Sequence, residues 1–416
     1  MKDKWKQVIL KDVCCKTSQW NPRYDERNAF YYVDVSSVSN DTFSITAPVL
    51  INVNDAPGRA RKIIYEKDVI YATIRPTLCR IALVPEQYDN NIASTAFCIV
   101  RANRKLAIPE FLFFLLLSDG LSKSIADLQH GASYPAVTDK DILNQPISLP
   151  ALPEQEKIAA VLLNLQNAIS IQEKIIQSLR DLKNSTMNFV FSCGLRGEKT
   201  KSTPIGGIPE SWVVKKIGDI AEISAGGTPS RERPEYWNGS IPWVKTAELG
   251  YCTIKDTDEK ITELGLKSSS AKLLPSGSLL MAMYGQGITR GKVAILGIEA
   301  ATNQACAAII PKNDKIKTKF LYHIFTWSYE RIRALGHGAQ QPNLNAKIIA
   351  DFPVPFPKDY EQDGIIKLLD SLDKKLESHS VKKSALQDLF KTTLNKLMTG
   401  EIRVGDFEID VKDVRT

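Results

Sequence analysis

The sequence predicts an α+β chain built from two copies of one unit, each copy a strand-rich domain followed by a long helix. Three observations predict it. Identical residues recur at one constant offset from end to end of the chain. Short β-type runs flanked by turn residues fill most of each copy. Each copy then closes on a stretch of about 40 residues with apolar positions at alternating three- and four-residue steps.

The offset is 207 residues. Trp5 matches Trp212, Asp12 matches Asp219, and His130-Gly131-Ala132 matches His337-Gly338-Ala339. Pro135 matches Pro342, Pro150 matches Pro357, Glu154-Gln155 matches Glu361-Gln362, and Arg196 matches Arg403. A single coincidence carries little. One shared offset at the start, middle and end of each half defines a pseudo-two-fold internal repeat. Its period is far too long for a solenoid, so each copy is a domain plus a connector.

The strand-rich parts are residues 1–150 and 209–357. In the first, Val69–Ile74 and Cys98–Val100 read as strands; in the second, Leu279–Tyr284 and Ala307–Ile310 do. Helical stretches are expected near 109–128 and 318–335. The long helices are expected at 151–193 and 358–400, free of Gly and Pro apart from Pro153 and Gly364 near their starts and Gly400 at the end of the second, with Gly194 and Gly400 as stops. The seam of the first comprises Ile158, Leu162, Leu165, Ile169, Ile176 and Leu179. That of the second comprises Ile365, Leu369, Leu372, Leu376, Leu386 and Phe390. This is coiled-coil spacing, and two such helices in one chain can pair with each other. Gln172 and His379 hold equivalent places in the two seams, and they read as solvent-facing sites rather than as register-fixing ones. Residues 194–208 have the composition of a flexible linker. Residues 401–416 form a charged tail that reads as partly disordered.

Composition fits two or three ordinary globular domains: 416 residues, 43% hydrophobic, 24% charged. The net charge of +7 suits a polyanionic partner such as DNA without demanding one. Seven cysteines, an odd number at irregular spacing with no CxxC pair, exclude a disulfide framework and a zinc-ribbon arrangement. The N-terminal MKDKWKQVIL lacks the apolar core of a signal peptide, and the strongest apolar run, Phe111–Leu117, is far shorter than the roughly 20 residues of a membrane span. A cytoplasmic location is expected.

No catalytic constellation emerges. Gly285-Gln-Gly287-Ile-Thr-Arg290 lacks the last glycine of a dinucleotide fingerprint, and Gly291-Lys292 fails the phosphate-loop pattern. Asn21-Pro22-Arg23-Tyr24 resembles the NPPY motif of adenine methyltransferases, but Arg replaces its second proline and no glycine-rich cofactor loop precedes it; an ordinary turn is the better reading. Asp258-Glu259-Lys260 matches the end of a nuclease motif without a partner carboxylate and reads as a solvated loop. His130 and His337 read as loop-packing residues, and metal-ligand spacing is absent from the four histidines.

A repeated binding domain suits a ligand with two similar ends, and duplex DNA is one. Two readers of different sequence would read different half-sites, and helix length would set their spacing. Over nearly its whole length the chain resembles the specificity subunits of type I restriction–modification systems. The resemblance is carried by Asp55-Ala-Pro-Gly-Arg-Ala-Arg-Lys62, Ile92-Ala-Ser-Thr-Ala-Phe97, Gly226-Gly-Thr-Pro-Ser-Arg231, Pro234-Glu-Tyr-Trp-Asn-Gly239 and Ile241-Pro-Trp-Val244. It is carried also by the two junctions, Leu149-Pro-Ala-Leu-Pro-Glu-Gln155 and Phe356-Pro-Lys-Asp-Tyr-Glu-Gln362. It implies two α+β target-recognition domains and an antiparallel coiled coil of the long helices. It implies double-stranded DNA, two methyltransferase subunits and restriction subunits as partners. It implies adenine methylation with S-adenosylmethionine, ATP and Mg held by those partners and no cofactor in this chain.

For contact with DNA, Arg and Lys beside Gly or Pro bends are the candidates, because loops there can reach a groove. In the first copy these are Arg59, Arg61, Lys62 and Arg75; in the second, Arg231, Arg233, Lys245, Gln286 and Arg290. Tyr236 and Trp237 read as packing residues. Three other readings compete: a targeting subunit of another methylation-based defence complex, a stand-alone methyltransferase with a degenerate motif, and a protein-binding scaffold.

Overall fold

Residues with strong helix propensity and an unbroken apolar stripe need no tertiary partner to choose helix over strand. In the computed structural model they form two long helices, Leu152–Cys193 and Asp359–Met398, of 42 and 40 residues. Each would run about 60 Å at 1.5 Å per residue. Gly194 and Gly400 follow them with positive φ, the usual way an α-helix is stopped. The structure describes residues 5–24, 26–131, 133–285, 288–335, 343–405 and 407–415.

The chain divides into two units. The first comprises residues 1–174 and 380–416, the second residues 175–379. Each unit therefore takes one half of each long helix.

In the first unit, Lys6–Ile9 pairs antiparallel with Pro146–Leu149. A three-stranded sheet runs in the order Phe97–Val100, Val69–Ala72, Ile81–Leu83. A four-stranded one runs Val49–Asn52, Ala29–Val33, Asn91–Ser94, Ala60–Ile64. Val69–Ala72 is buried on both faces, which is why it reads as a continuous apolar run rather than an alternating one. The helices Pro109–Leu117 and Asp119–Ala126 complete the core together with Ile158 and Leu162 of one long helix and Phe390, Leu394 and Leu397 of the other.

The second unit repeats the plan. Val213–Lys216 pairs with Pro353–Phe356 in the register of the first unit's terminal pair. A five-stranded sheet runs Ala221–Ala225, Cys306–Pro311, Leu279–Ala282, Val293–Leu296, Thr253–Ile254. A three-stranded sheet centres on Trp237–Val244. The helices Thr318–Trp327 and Tyr329–Ala334 pack on Met187, Val190 and Phe191 of one long helix and Ile365, Leu369 and Leu372 of the other. Within each unit, early turns of one long helix meet late turns of the other, so the pairing is antiparallel.

All twelve seam residues are buried or half-buried. Three expectations change at the helices and their flanks. Gln172 does not face solvent: it is buried in the seam, and His379 is half-buried. Residues 200–209 are not a featureless linker but a hairpin, Thr200–Thr203 against Gly206–Pro209, tightened by Thr203 Oγ1 donating to the Gly206 carbonyl. The charged tail also packs: Val404 and Val414 are buried, Val414 beside Ala159 and Ala160. No helix among the described residues is long and apolar enough to cross a membrane.

Candidate nucleic-acid interface

The repeated Glu-Gln pairs lie at the starts of the long helices and are buried there. In the first unit the Trp5 indole donates to Glu154 at 3.2 Å, and Gln155 accepts from the Ile108 amide and donates to the Leu106 carbonyl. In the second, Trp212 donates to Glu361 at 2.9 Å, and Gln362 accepts from the Lys317 amide and donates to the Lys315 carbonyl. Each glutamine thus satisfies the backbone just before the domain's main helix and fixes that helix to the long one. The Trp, Glu and Gln identities seen at constant offset are structural. Arg403 adds a two-bond grip on Glu154 at 2.5 and 2.7 Å; its counterpart Arg196 is exposed.

The candidate cations separate by what their side chains already hold. In the first unit, Arg61 donates to the Ala60 carbonyl at 2.6 Å, bracing its own turn. Lys62 is bound to Asp139 at 2.5 Å and to the Phe97 carbonyl, with only 14% of its side chain exposed. Arg59 and Arg75 are exposed and make no ion pair among the described residues. Arg59 sits in the turn whose carbonyl accepts from Thr95; Arg75 opens the loop between Val69–Ala72 and Ile81–Leu83.

In the second unit, Arg231 lies over the Trp237 ring at 3.7 Å and pairs with Glu259 at 2.5 Å. Lys245 meets the same Glu259 at 3.0 Å and Asp258 at 3.4 Å. Two cations converge on one carboxylate. The hydrogen bond from Arg231 is the main reason the Glu259 carboxyl is held below the usual range, and Glu259 in turn raises the Lys245 ammonium. Asp258-Glu259-Lys260 is thereby accounted for as an ion-pair hub, with Lys260 on Asp256 at 3.3 Å. Arg233 is exposed and, among the described residues, pairs only with Glu235, at 3.4 Å. Arg290 is half-buried and donates to the Arg333 carbonyl at 3.5 Å. Gln286 and the motif His337-Gly338-Ala339 lie outside the described residues.

Trp237 and Trp243 meet edge to face at 5.0 Å, and their indoles donate to the Ser230 and Gly227 carbonyls. These rings form a small core that holds Arg231. Trp243 was not singled out from sequence; its tie to Gly227 spans 16 positions that no local pattern links. Tyr134 is 75% exposed between the repeat-matched Gly131 and Pro135.

A second charged cluster lies at the helices of the second unit. Buried His323 contacts Asp370 at 2.9 Å, and its Nδ1 lies 4.0 Å from Asp373. These three groups are of metal-ligand type, within 4.8 Å of one another. Lysines already answer both carboxylates: Lys319 on Asp370, and Lys183 on Asp373 at 2.5 Å. The seven cysteines are free. Burial pushes the Cys14 and Cys306 thiols up to about 12, so neither is a nucleophile at neutral pH.

Two like-built α+β units, each with exposed cations on loops and long helices pairing antiparallel, define a tandem recognition protein. The family model described as the type I restriction modification DNA specificity domain matches residues 2–181 and 209–387, once per unit. The chain belongs to that family, the DNA-target-recognition subunits of type I restriction–modification systems. It is similar to the type I restriction enzyme HindI specificity subunit of Haemophilus influenzae, 24% identical over 96% of this chain and 99% of that one. It is 36% identical to the MjaIX specificity subunit of Methanocaldococcus jannaschii over 46% of this chain and 45% of that one. A solved structure described as bearing on complex assembly and conformational transition of the type I R-M system matches 97% of this chain and 99% of its own, with 26% identity and a TM-score of 0.60. The S subunit from M. genitalium, 14% identical over 96% of this chain and 97% of its own with a TM-score of 0.62, shares the fold.

Proposed function

We propose that this chain reads an asymmetric bipartite duplex target, one half-site per unit, and brings methyltransferase and restriction subunits to it without chemistry of its own. The observation that carries this reading is the pairing of like backbones with unlike loops. The two units share strand registers and junction hydrogen bonds, yet present different cations: Arg59 and Arg75 in one, Arg233 in the other. Like scaffolds with unlike reading surfaces suit two different half-sites. The long helices set the spacing between them, and their outward apolar residues, such as Ile171, Leu182 and Leu368, offer surface to two methyltransferase subunits. S-adenosylmethionine, ATP and Mg belong to those partners, and adenine is the methylated base.

Arg59 and Arg233 serve as phosphate contacts, since exposed and weakly held cations neutralise a backbone without reading it. Arg61, Lys62, Arg231 and Lys245 shape the surface from within. Selection of duplexes from a random library by the methyltransferase complex, with and without this chain, tests the proposal. Two constant blocks separated by a fixed unselected spacer are expected with the chain. Equal enrichment without the chain, or one contiguous block, would overturn it.

A further inference from the structure

The loop after the fully buried strand is built alike in both units. In the first, the Thr73 amide donates to the Ala96 carbonyl at 2.8 Å and the Val137 amide to the Thr73 carbonyl at 2.9 Å. In the second, Met283 takes both places, with Ala305 at 2.8 Å and Leu344 at 3.1 Å. Thr73 and Met283 are therefore equivalent loop entries. Two residues further on, both loops turn through positive φ. The second unit uses Gly285, at φ 136. The first uses Arg75, at φ 48 and ψ 61.

That choice costs the fold free energy twice. A non-glycine residue in the left-handed region is strained, and the residue before a proline, here Pro76, is further restricted. The conformation is imposed from outside: the Arg75 amide donates to the Pro135 carbonyl at 2.7 Å, and the Leu78 amide donates to the Arg75 carbonyl at 2.9 Å. The arginine returns nothing to the fold, because its side chain is exposed and makes no ion pair among the described residues. Arg61, Lys62, Arg231 and Lys245 differ in this respect, each having an internal partner. Glycine would take this backbone region without the strain, and the second unit has glycine at the equivalent place, though at a different φ. A rigidly held backbone presenting a free, forked guanidinium matches the geometric demand of bidentate base readout, which a flexible phosphate-binding arginine does not face.

We infer that Arg75 is a base-reading residue of the first unit, selecting one base, most simply a guanine, in the half-site which that unit binds. This rests on the proposed reading of a bipartite target.

The test compares the complete methyltransferase complex carrying wild-type chain, Arg75→Gly or Arg75→Lys. Its readouts are the methylated motif, base by base, and the melting temperature. Arg75→Gly is expected to melt no lower than wild type, because glycine relieves the backbone. It is expected to lose roughly ten- to hundred-fold discrimination at one base of one half-site, with the other half-site unchanged. Arg75→Lys keeps the charge but not the fork and is expected to lose discrimination at the same base. An unchanged motif in both variants overturns the inference, and so does an even loss at every position, which would mark a phosphate contact. A wild-type complex that yields no bipartite motif overturns the parent reading and this inference with it.

Discussion

His323 Nε2 lies 2.9 Å from Asp370 Oδ1 in the second unit, at a place where the first unit carries Phe114 and Leu163. The helices Pro109–Leu117 and Thr318–Trp327 align through Phe111 with Phe320 and Leu112 with Leu321, which sets Phe114 against His323. In the first unit Phe114 packs edge to face on Phe390 at 6.0 Å. The repeat equivalent of Phe390 is Lys183, bound to Asp373. At this place one unit has aromatic packing between domain and helix, and the other a partly buried ionic network.

That network makes the second unit acid-sensitive. The hydrogen bond from His323, reinforced by Lys319, lowers the Asp370 carboxyl from 3.8 to about 2. A depressed carboxylate contributes stability that is complete above its unfolded pKa and is lost as pH falls through the folded value. Melting temperatures from pH 7 to 2 for wild type and Asp370→Asn therefore differ by a constant amount down to about pH 4. The difference shrinks between 3.8 and about 2. A difference that instead closes near neutral pH would contradict this assignment.

Breaking the network from the other side leaves a carboxylate without its cation. Lys183→Met should cost about 1–3 kcal/mol, below the value for a fully buried pair because Asp373 is 32% exposed. Adding Asp373→Leu should return at least half of that loss, measured by denaturant unfolding as a double-mutant cycle. Simple additivity of the two losses would show that the pair is not coupled.

At the junctions, Glu154→Ala removes the acceptor for both Trp5 and Arg403, and about 2–4 kcal/mol of stability should go with it. Glu361→Gln keeps one acceptor oxygen for Trp212 or the Leu195 amide and should cost about 1 kcal/mol. Equal costs for the two would show that the two-bond Arg403 grip contributes little.

The long helices were legible because their pattern is local: three–four spacing and the absence of Gly and Pro are visible in any short window. Burial of Gln172 was not, since a polar residue at a seam position carries no local sign of whether it is covered. The hairpin at 200–209 shares the Lys, Ser, Thr and Gly content of a flexible linker, and only its cross-strand pairs distinguish the two. Among the candidate cations, proximity to a bend selected loop residues but could not reveal partners. Lys62 finds Asp139 77 positions on, and Arg231 finds Glu259 28 positions on.

Those partners separate the arginines experimentally. Arg59→Ala should leave the melting temperature unchanged, weaken DNA binding evenly across sequences and reduce the salt slope by about one. Arg231→Ala should lower the melting temperature, because it takes the cation from the Trp237 face and from Glu259. Thermal melts and binding titrations at several salt concentrations check both. The reverse pattern would exchange their roles.

The most direct test of the whole account is methylation-sensitive sequencing of host DNA with and without the gene for this chain. The account predicts that one bipartite adenine motif, two half-sites around a fixed spacer, loses methylation on deletion and regains it on complementation. Persistence of every methylated motif after deletion, in a host where the complex is expressed, would contradict it.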